Sequence, residues 1–432
     1  MERHPGMRRV AGESQPGESA DLQVLTICGS GNAGHALAVA ASQNFRGSID
    51  WLVIRTEERA RLLRRRMSEA VLHSTGVMQA TAHRVRTISR DPADVIPDAD
   101  MVLIAVPAFA HALVLQRIRP YIGDGAVLGC LPTRGGFEFE AAELVPRGGT
   151  RRRIFGLQTL PWSTRVITPG KEVNVGAVKA EVLLASLPAA DGPDMAARLG
   201  SILGTRIAAV DGFLSLTLGN TGQVIHPGLM YGHFHSWRGE EYDQESIPMF
   251  YAGVTDDMGE VVEGLSDDAV AVARSLEEQS GGALNLEGVL PIHAWLRSSY
   301  AHVTQDTSTV ASCLRTGPIQ ARLAPMTEVR PGTFVPNFDY RYLTEDVPYG
   351  LVVSRALAQL AGVKTPAIDE VISWAQSVMK KEYLVAGTLE GPDVRHLPIP
   401  QAHGVSTVSE LVQWYGAEAA GISGQRVPTR SP

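Results

Sequence analysis

Residues 22–42 read LQVLTICGSGNAGHALAVAAS, and the rest of the chain is organised around them. Val24–Cys28 is an apolar, β-branched run of the length of a buried strand. Gly29-Ser30-Gly31-Asn32-Ala33-Gly34 follows directly, and His35–Ala41 reads as a helix rich in alanine and leucine. Strand, glycine turn and helix in the spacing GxGxxG predict a dinucleotide cradle. Gly29 allows the tight turn, Gly31 lets a pyrophosphate approach the backbone, and Gly34 lets helix and strand pack closely. The first N–H groups of the helix are then available to phosphate.

Working outward, Ile49–Arg55 (IDWLVIR) is the natural second strand. An NAD-preferring unit carries an acid at its end to accept from the ribose hydroxyls. This chain has Arg55-Thr56 there, with Arg59 one turn on, a set that suits a 2′-phosphate. NADP(H) is therefore the favoured cofactor, with NAD(H) possible. The basic run Arg59, Arg61, Arg64, Arg65 and Arg66 lies in an expected helix, Glu57–His73, and reads as a solvated face. Further apolar runs, Asp100–Val106 closed by Pro107, Ala126–Leu131 and Arg153–Leu157, alternate with helical stretches such as Phe109–Ile118. That alternation predicts a Rossmann-type α/β, doubly wound, mainly parallel sheet. Val173–Leu187 and Arg206–Val210 are expected to extend it.

From Asp211 the pattern changes to long amphipathic stretches: Val254–Ser280, Val347–Leu360, and a helix opened by Thr365-Pro366. The second domain is therefore expected to be mostly α-helical. The division is residues 1–20 as a disordered lead-in, 21–210 as the dinucleotide-binding domain, 211–420 as the helical substrate domain, and 421–432 as a disordered tail. A chain of 432 residues is too long for one core. Its 44% hydrophobic and 20% charged composition is that of an ordinary globular protein. A formal net charge of -7 argues against nucleic acid as a partner. The N-terminus carries no apolar h-region and no run is long enough to span a bilayer. Three separated cysteines point to a reducing, cytoplasmic setting.

Three places combine unusual polar residues. In NTGQVIHPG (220–228), His226 sits beside Val224 and Ile225, and Pro227 biases it away from helical backbone. A half-buried histidine there can give or take a proton near neutral pH. In DYRYLTEDVPYG (339–350), Arg341, Glu345 and Asp346 crowd a short, non-helical stretch. Asp346 either caps the helix that follows or orients His226, and Arg341 can grip a carboxylate bidentately. Pro132–Gly136 (PTRGG) and Gln158–Trp162 (QTLPW) follow strands at the ligand-binding edge of the sheet. His233 and His235, with Glu240, Glu241 and Asp243, have no spacing that defends a metal site.

Taken together, CGSGNAGHALA, ADMVLIAVPAFAHA, LPTRGGFE, LQTLPWSTR, NTGQVIHPG, RYLTEDVPYGLV, GVKTPAIDEVI and MKKEYL, in this order between Val24 and Leu384, make the chain resemble the opine dehydrogenases. The resemblance implies a Rossmann domain followed by an α-helical domain, with the active site between them. It implies reductive joining of an amino acid's amine to a 2-oxo acid such as pyruvate, with hydride from NAD(P)H. His226 matches the family's proton-transfer histidine and Asp346 the acid paired with it. Arg341 matches the arginine that holds the oxo acid carboxylate. Thr159 and Asn220 fall at substrate-contacting places; Gly29, Ser30, Gly31, Asn32, Ala33, Gly34, Arg55, Thr56, Val106 and Pro107 fall at cofactor-contacting ones. Arg134 stands where octopine-type enzymes have glutamine, so it suits either an additional carboxylate or cofactor phosphate. Thr164 replaces a usual cysteine, and no acidic cluster for a guanidinium appears near Gln158, which disfavours arginine as amine donor. The partners implied are small molecules, with the protein a monomer or homodimer. The alternative is an NADP-dependent hydroxy acid dehydrogenase that needs no amine.

Overall fold

The computed structural model describes residues 22–144, 153–318 and 320–420. The expected lead-in (1–20) and tail (421–432) lie outside the described residues. Eight strands form one sheet: β1 Val24–Cys28, β2 Ser48–Leu52, β3 Val85–Ser89, β4 Met101–Ile104, β5 Val127–Cys130, β6 Arg153–Leu157, β7 Val182–Leu187 and β8 Ile207–Ala209. Their order across the sheet is β8-β7-β6-β5-β4-β1-β2-β3. Every pair is parallel except β6 with β7. The order reverses at β1, where β4 and β2 flank it on opposite sides, and the ligand crevice of such sheets opens at that switch point.

Both faces of the sheet are covered, as near-continuous apolar strands require. Leu25, Ile27, Ile49, Trp51, Met101 and Leu103 pack against helix α1 (Asn32–Asn44) and against Met195, Leu199 and Ile202 of a later helix. Cys28, Leu52, Val102, Ile104 and Leu128 face the other way, onto Val114, Leu115 and Ile118. Helix α2 (Glu57–Glu69) is capped by the Thr56 hydroxyl, which accepts from Arg59 N–H. One expectation is corrected here. Val173–Leu187 is not one extension of the sheet. Glu172–Val178 joins a separate three-stranded sheet with His73–Gly76 and Trp162–Thr168, and only Val182–Leu187 enters the main one. The turn at Lys179–Glu181 divides an apolar run whose two halves pair with different partners.

After β8 the chain is mainly helical, with α3 Phe213–Leu218, α4 Thr221–Phe234, α5 Asp256–Gln279, α6 Val352–Ala361 and α7 Pro366–Met379 among the helices that follow. Their core joins Leu229, Phe234, Val262, Leu265, Val347 and Ile372. Two local expectations fail. His226 is helical: α4 runs through Pro227. The missing proline N–H costs one helical bond, but packing of α4 holds the turn. Gly228 lies so close to Val262 and Leu265 of α5 that a Cβ would meet them at 2.9 and 3.2 Å. The 339–350 stretch is not irregular either. It holds a short helix, Arg341–Thr344, and a wide helical turn, Val347–Leu351. No described helix is long and apolar enough to cross a membrane.

Candidate active site

The glycine turn fits a dinucleotide phosphate. Gly29 has φ +128°, and a Cβ there would stand 2.4 Å from the Ala105 carbonyl oxygen. At Gly34 a Cβ would stand 2.0 Å from the Gly29 oxygen. At Gly31 it would meet nothing within 4 Å, so this face of the turn is open. Gly31 occupies the N-cap of α1, and no side chain caps the helix. The buried Ser30 hydroxyl has no hydrogen-bond partner among the described residues. A helix end with free N–H groups beside an unsatisfied hydroxyl is an anion cradle. The turn is pinned from behind: Trp51 Nε1 donates to the Gly29 carbonyl at 2.6 Å, and His35 Nδ1 donates to that of Gly31 at 2.9 Å.

Asn32 Oδ1 accepts from Val166 N–H at 2.8 Å, which ties the cradle to the three-stranded sheet. Ala33 is half-buried beside it. Beyond β2, Arg55 is exposed and Arg59 donates to the Ser30 carbonyl at 3.2 Å. Glu57 is turned to Arg64 at 2.6 Å and Arg61 at 3.4 Å. Val106 and Pro107 follow β4, half-buried at the same edge of the sheet.

The residues singled out in the helical half meet on the face of α4 that carries Gly222 and His226, one turn apart. His226 Nδ1 lies 2.8 Å from Asp346 Oδ2. Its ring stacks on Tyr342 at 3.9 Å between centroids, and its side chain keeps 22% exposure. Burial lowers the imidazole pKa below its ordinary value, with Arg134 and Arg341 adding to that and Asp346 opposing it. Asp346 is buried and makes no capping bond, so capping is not its function. Burial alone would raise its carboxyl, but Arg134 and His226 outweigh burial and hold it below the usual carboxylate range.

Arg134, from the loop after β5, is buried against the same acids. Its Nη2 lies 3.2 Å from Asp346 Oδ1 and its Nε 3.6 Å from Glu345 Oε1. Its Nη1 donates to Asn220 Oδ1 at 2.6 Å. Asn220 also caps α4 through Gly222 N–H and donates to the Thr133 carbonyl at 3.3 Å. Arg341 is half exposed and pairs with Glu345 Oε2 at 2.7 Å. Thr159, half-buried, lies just past β6, next to Gln158, which bridges Gly219 and Trp295.

Two residues in this cluster were not singled out from the sequence as site residues. Tyr342 gives no signal beyond its place in an aromatic-rich segment. Glu345 was visible only as part of a crowd of charges. Its Oε1 accepts from Ala108 N–H at 3.0 Å, directly after Pro107. It therefore joins the cofactor-side loop to the cluster. The arrangement is a phosphate cradle on the sheet and, across Arg134 and Ala108, an aligned imidazole–carboxylate pair with a half-exposed arginine beside it.

Residues 209–379 match the family model described as NAD/NADP octopine/nopaline dehydrogenase, alpha-helical domain. An opine dehydrogenase of Haliotis discus hannai is 32% identical over 402 residues, 90% of this chain and 98% of that protein. A tauropine dehydrogenase of Arabella iricolor is 31% identical, covering 90% of this chain and all of its own length. The solved structure of octopine dehydrogenase with NADH and L-arginine superposes with a TM-score of 0.80 at 27% identity, over 91% of this chain and 98% of that one. With its sheet, helical half and full-length relatives in agreement, the chain belongs to the opine dehydrogenases, NAD(P)-dependent oxidoreductases that act on CH–NH donors.

Proposed function

We propose that this protein condenses an amino acid with pyruvate or a similar 2-oxo acid and reduces the product to an opine, in a cleft between residues 21–210 and 211–420. The observation that carries the site assignment is the His226–Asp346 pair at 2.8 Å, with the ring stacked flat on Tyr342. Nδ1 donates to Asp346, which leaves Nε2 as the ring nitrogen for proton transfer. Arg341 orients the oxo acid through its carboxylate, since its guanidinium is half exposed and, among the described residues, paired with Glu345 alone. Thr159 and Asn220 border the substrate space. His226 gives its Nε2 proton to the carbonyl oxygen as the amine adds, takes one back from the amine nitrogen, and gives it to the same oxygen as that leaves as water. Asp346 keeps the ring's tautomer and plane fixed while this happens. A reduced nicotinamide, when bound, supplies the hydride for the C=N carbon. The chain's own contribution is binding, alignment and proton transfer.

NADP(H) is favoured over NAD(H). Arg55 follows β2 and Arg59 lies in the first turn of α2, where Glu57, one of the two acids beside them, is turned to Arg61 and Arg64. Cys28, Cys130 and Cys313 are all free and buried, in keeping with a reducing cytoplasmic setting. The test is oxidation of NADPH, and separately NADH, followed by absorbance with pyruvate and a panel of amino acids. The expected result is turnover only when both an amino acid and the oxo acid are present, faster with NADPH. Oxidation with the oxo acid alone would replace this reading with that of a hydroxy acid dehydrogenase.

A further inference from the structure

The cluster holds two arginines, and their surroundings differ. Arg341 keeps 48% of its side chain exposed and meets one carboxylate. Arg134 keeps 8%. Its Nη1 donates to Asn220 Oδ1 at 2.6 Å, while Nη2 at 3.2 Å from Asp346 Oδ1 and Nε at 3.6 Å from Glu345 Oε1 make ion-pair contacts without a hydrogen bond. The approach is arranged on α4 itself. Gly222 lies one turn before His226, and a Cβ there would stand 3.1 Å from Arg134 Nη1 and 3.2 Å from Asp346 Oδ1. The absence of a side chain at 222 is what lets the guanidinium and the carboxylate meet against the helix. Asp346 is thus shared: Oδ2 takes the imidazole and Oδ1 faces the guanidinium.

We propose that Arg134 is a positioning residue that acts on His226 through Asp346, and that it does not grip a substrate carboxylate. It holds the Asp346 carboxylate in the plane that serves the ring. It also draws part of that negative charge away from the imidazole. This deepens the reading above and rests on it, since it assigns the work of carboxylate recognition to Arg341 alone. The charged groups that act on His226 are Asp346, Arg134 and Arg341, with Tyr342 against its face. Glu345 stands behind the two arginines. With Arg134 removed, one positive charge leaves this set and both acids remain. The protonated imidazole is then favoured, so the His226 titration moves up. Because His226 donates its proton in the condensing direction, the rate falls with rising pH as the ring titrates. That fall should move to higher pH in step.

The experiment compares the wild type with Arg134→Gln, Arg134→Lys and Arg341→Gln. Two measurements are made on each: kcat/KM for pyruvate from pH 5 to 10 at saturating NADPH and amino acid, and an NMR titration of the His226 imidazole, identified by its loss in His226→Gln. Arg134→Gln should raise both pH midpoints by at least about half a unit and leave the pyruvate KM within about threefold. Arg134→Lys, which keeps the charge, should hold both pH midpoints near their wild-type values. Arg341→Gln should raise the pyruvate KM by about tenfold or more. A His226 titration unmoved in Arg134→Gln, or a loss confined to the pyruvate KM at an unchanged pH profile, overturns the proposal. If Arg134→Gln folds without activity, the NMR titration still decides. Should NADPH oxidation prove independent of any amine, the proposed function fails, and the titration continues to report on Arg134.

Discussion

The glycine turn and the imidazole cluster solve opposite problems. The turn, Gly29–His35, is built by contiguous backbone and presents N–H groups to an anion. The cluster is built by side chains from three distant segments: His226 and Asp346 are 120 residues apart, Arg134 and Asn220 86. In the turn the three glycines matter for the atom they lack, a Cβ at Gly29, Gly31 or Gly34. In the cluster each matters for the charge it brings. A local device tolerates sequence change around it but not within it, whereas an assembled one depends on packing far from the chemistry. Measurements that perturb one region and read the other test that difference.

The largest effect belongs to the cluster. His226→Ala should lower kcat by ~10²–10⁴-fold, the usual worth of a positioned acid–base group. The affinity for NADPH should change little, since the cradle shares no atom with His226. Steady-state kinetics and a fluorescence titration of NADPH measure the two separately. Full kcat in the variant would remove His226 from the mechanism. A large loss of cofactor affinity would show that the two regions are not independent.

Acid should break the cradle next. His35 is fully buried, accepts from Gly170 N–H at Nε2 (3.0 Å) and donates from Nδ1 to Gly31. Both nitrogens are engaged by a neutral ring, and burial pushes the pKa down to about 4. An unfolded histidine titrates near 6.5. Between these values the unfolded chain binds more protons, so stability falls as pH drops from 6.5 towards 4 and is unaffected by this group above 6.5. The loss at the acid end is about 3 kcal/mol for His35 alone. Buried His111, also pushed down to about 4, acts in the same direction. Melting temperature against pH is the measurement, and a flat profile between pH 4 and 6.5 would contradict the neutral ring. In His35→Gln the slope should lessen.

How each region is made decides how far it can be read from sequence. β1, the turn and α1 are legible because strand, glycine spacing and helix follow one another in a single run, although Trp51, Val166 and Gly170 then pin that run from far along the chain. The sheet was legible from alternation of apolar runs with helical ones, although its split at Lys179 was not, because choice of strand partner is a tertiary matter. At His226 the local rule failed: proline's bias on its predecessor was outweighed by the packing of α4 on α5. No spacing links Arg134 to Asp346; the residues themselves offered Asp346 as a partner of His226 only as an alternative to capping, and resemblance to a family then paired them, with Arg341 beside. Tyr342 and Glu345 were missed as site residues for the same reason. Their importance is in what they touch, and their residue types carry no mark of it.

The smallest effects separate two glycines that look alike in the sequence. At Gly34 an added Cβ would sit 2.0 Å from the Gly29 carbonyl oxygen, a backbone atom in a pinned turn, so the turn and α1 must part. Gly34→Ala should cost about 1–3 kcal/mol of stability, as overpacking does, and take cofactor binding with it. At Gly31 the backbone is ordinary (φ −87°) and the Cβ meets nothing, so Gly31→Ala should leave stability within about 0.5 kcal/mol. The methyl would nevertheless stand where phosphate comes closest to the backbone, and the NADPH dissociation constant should rise by roughly tenfold, about 1.4 kcal/mol. Melting curves and NADPH titrations of both variants decide it. Loss of stability in Gly31→Ala would mean that the open face of the turn has a structural duty. Unchanged NADPH affinity there would place the pyrophosphate elsewhere. The predicted split, stability lost at one glycine and affinity alone at the other, holds only if the turn does its work through empty space on one side and contact on the other.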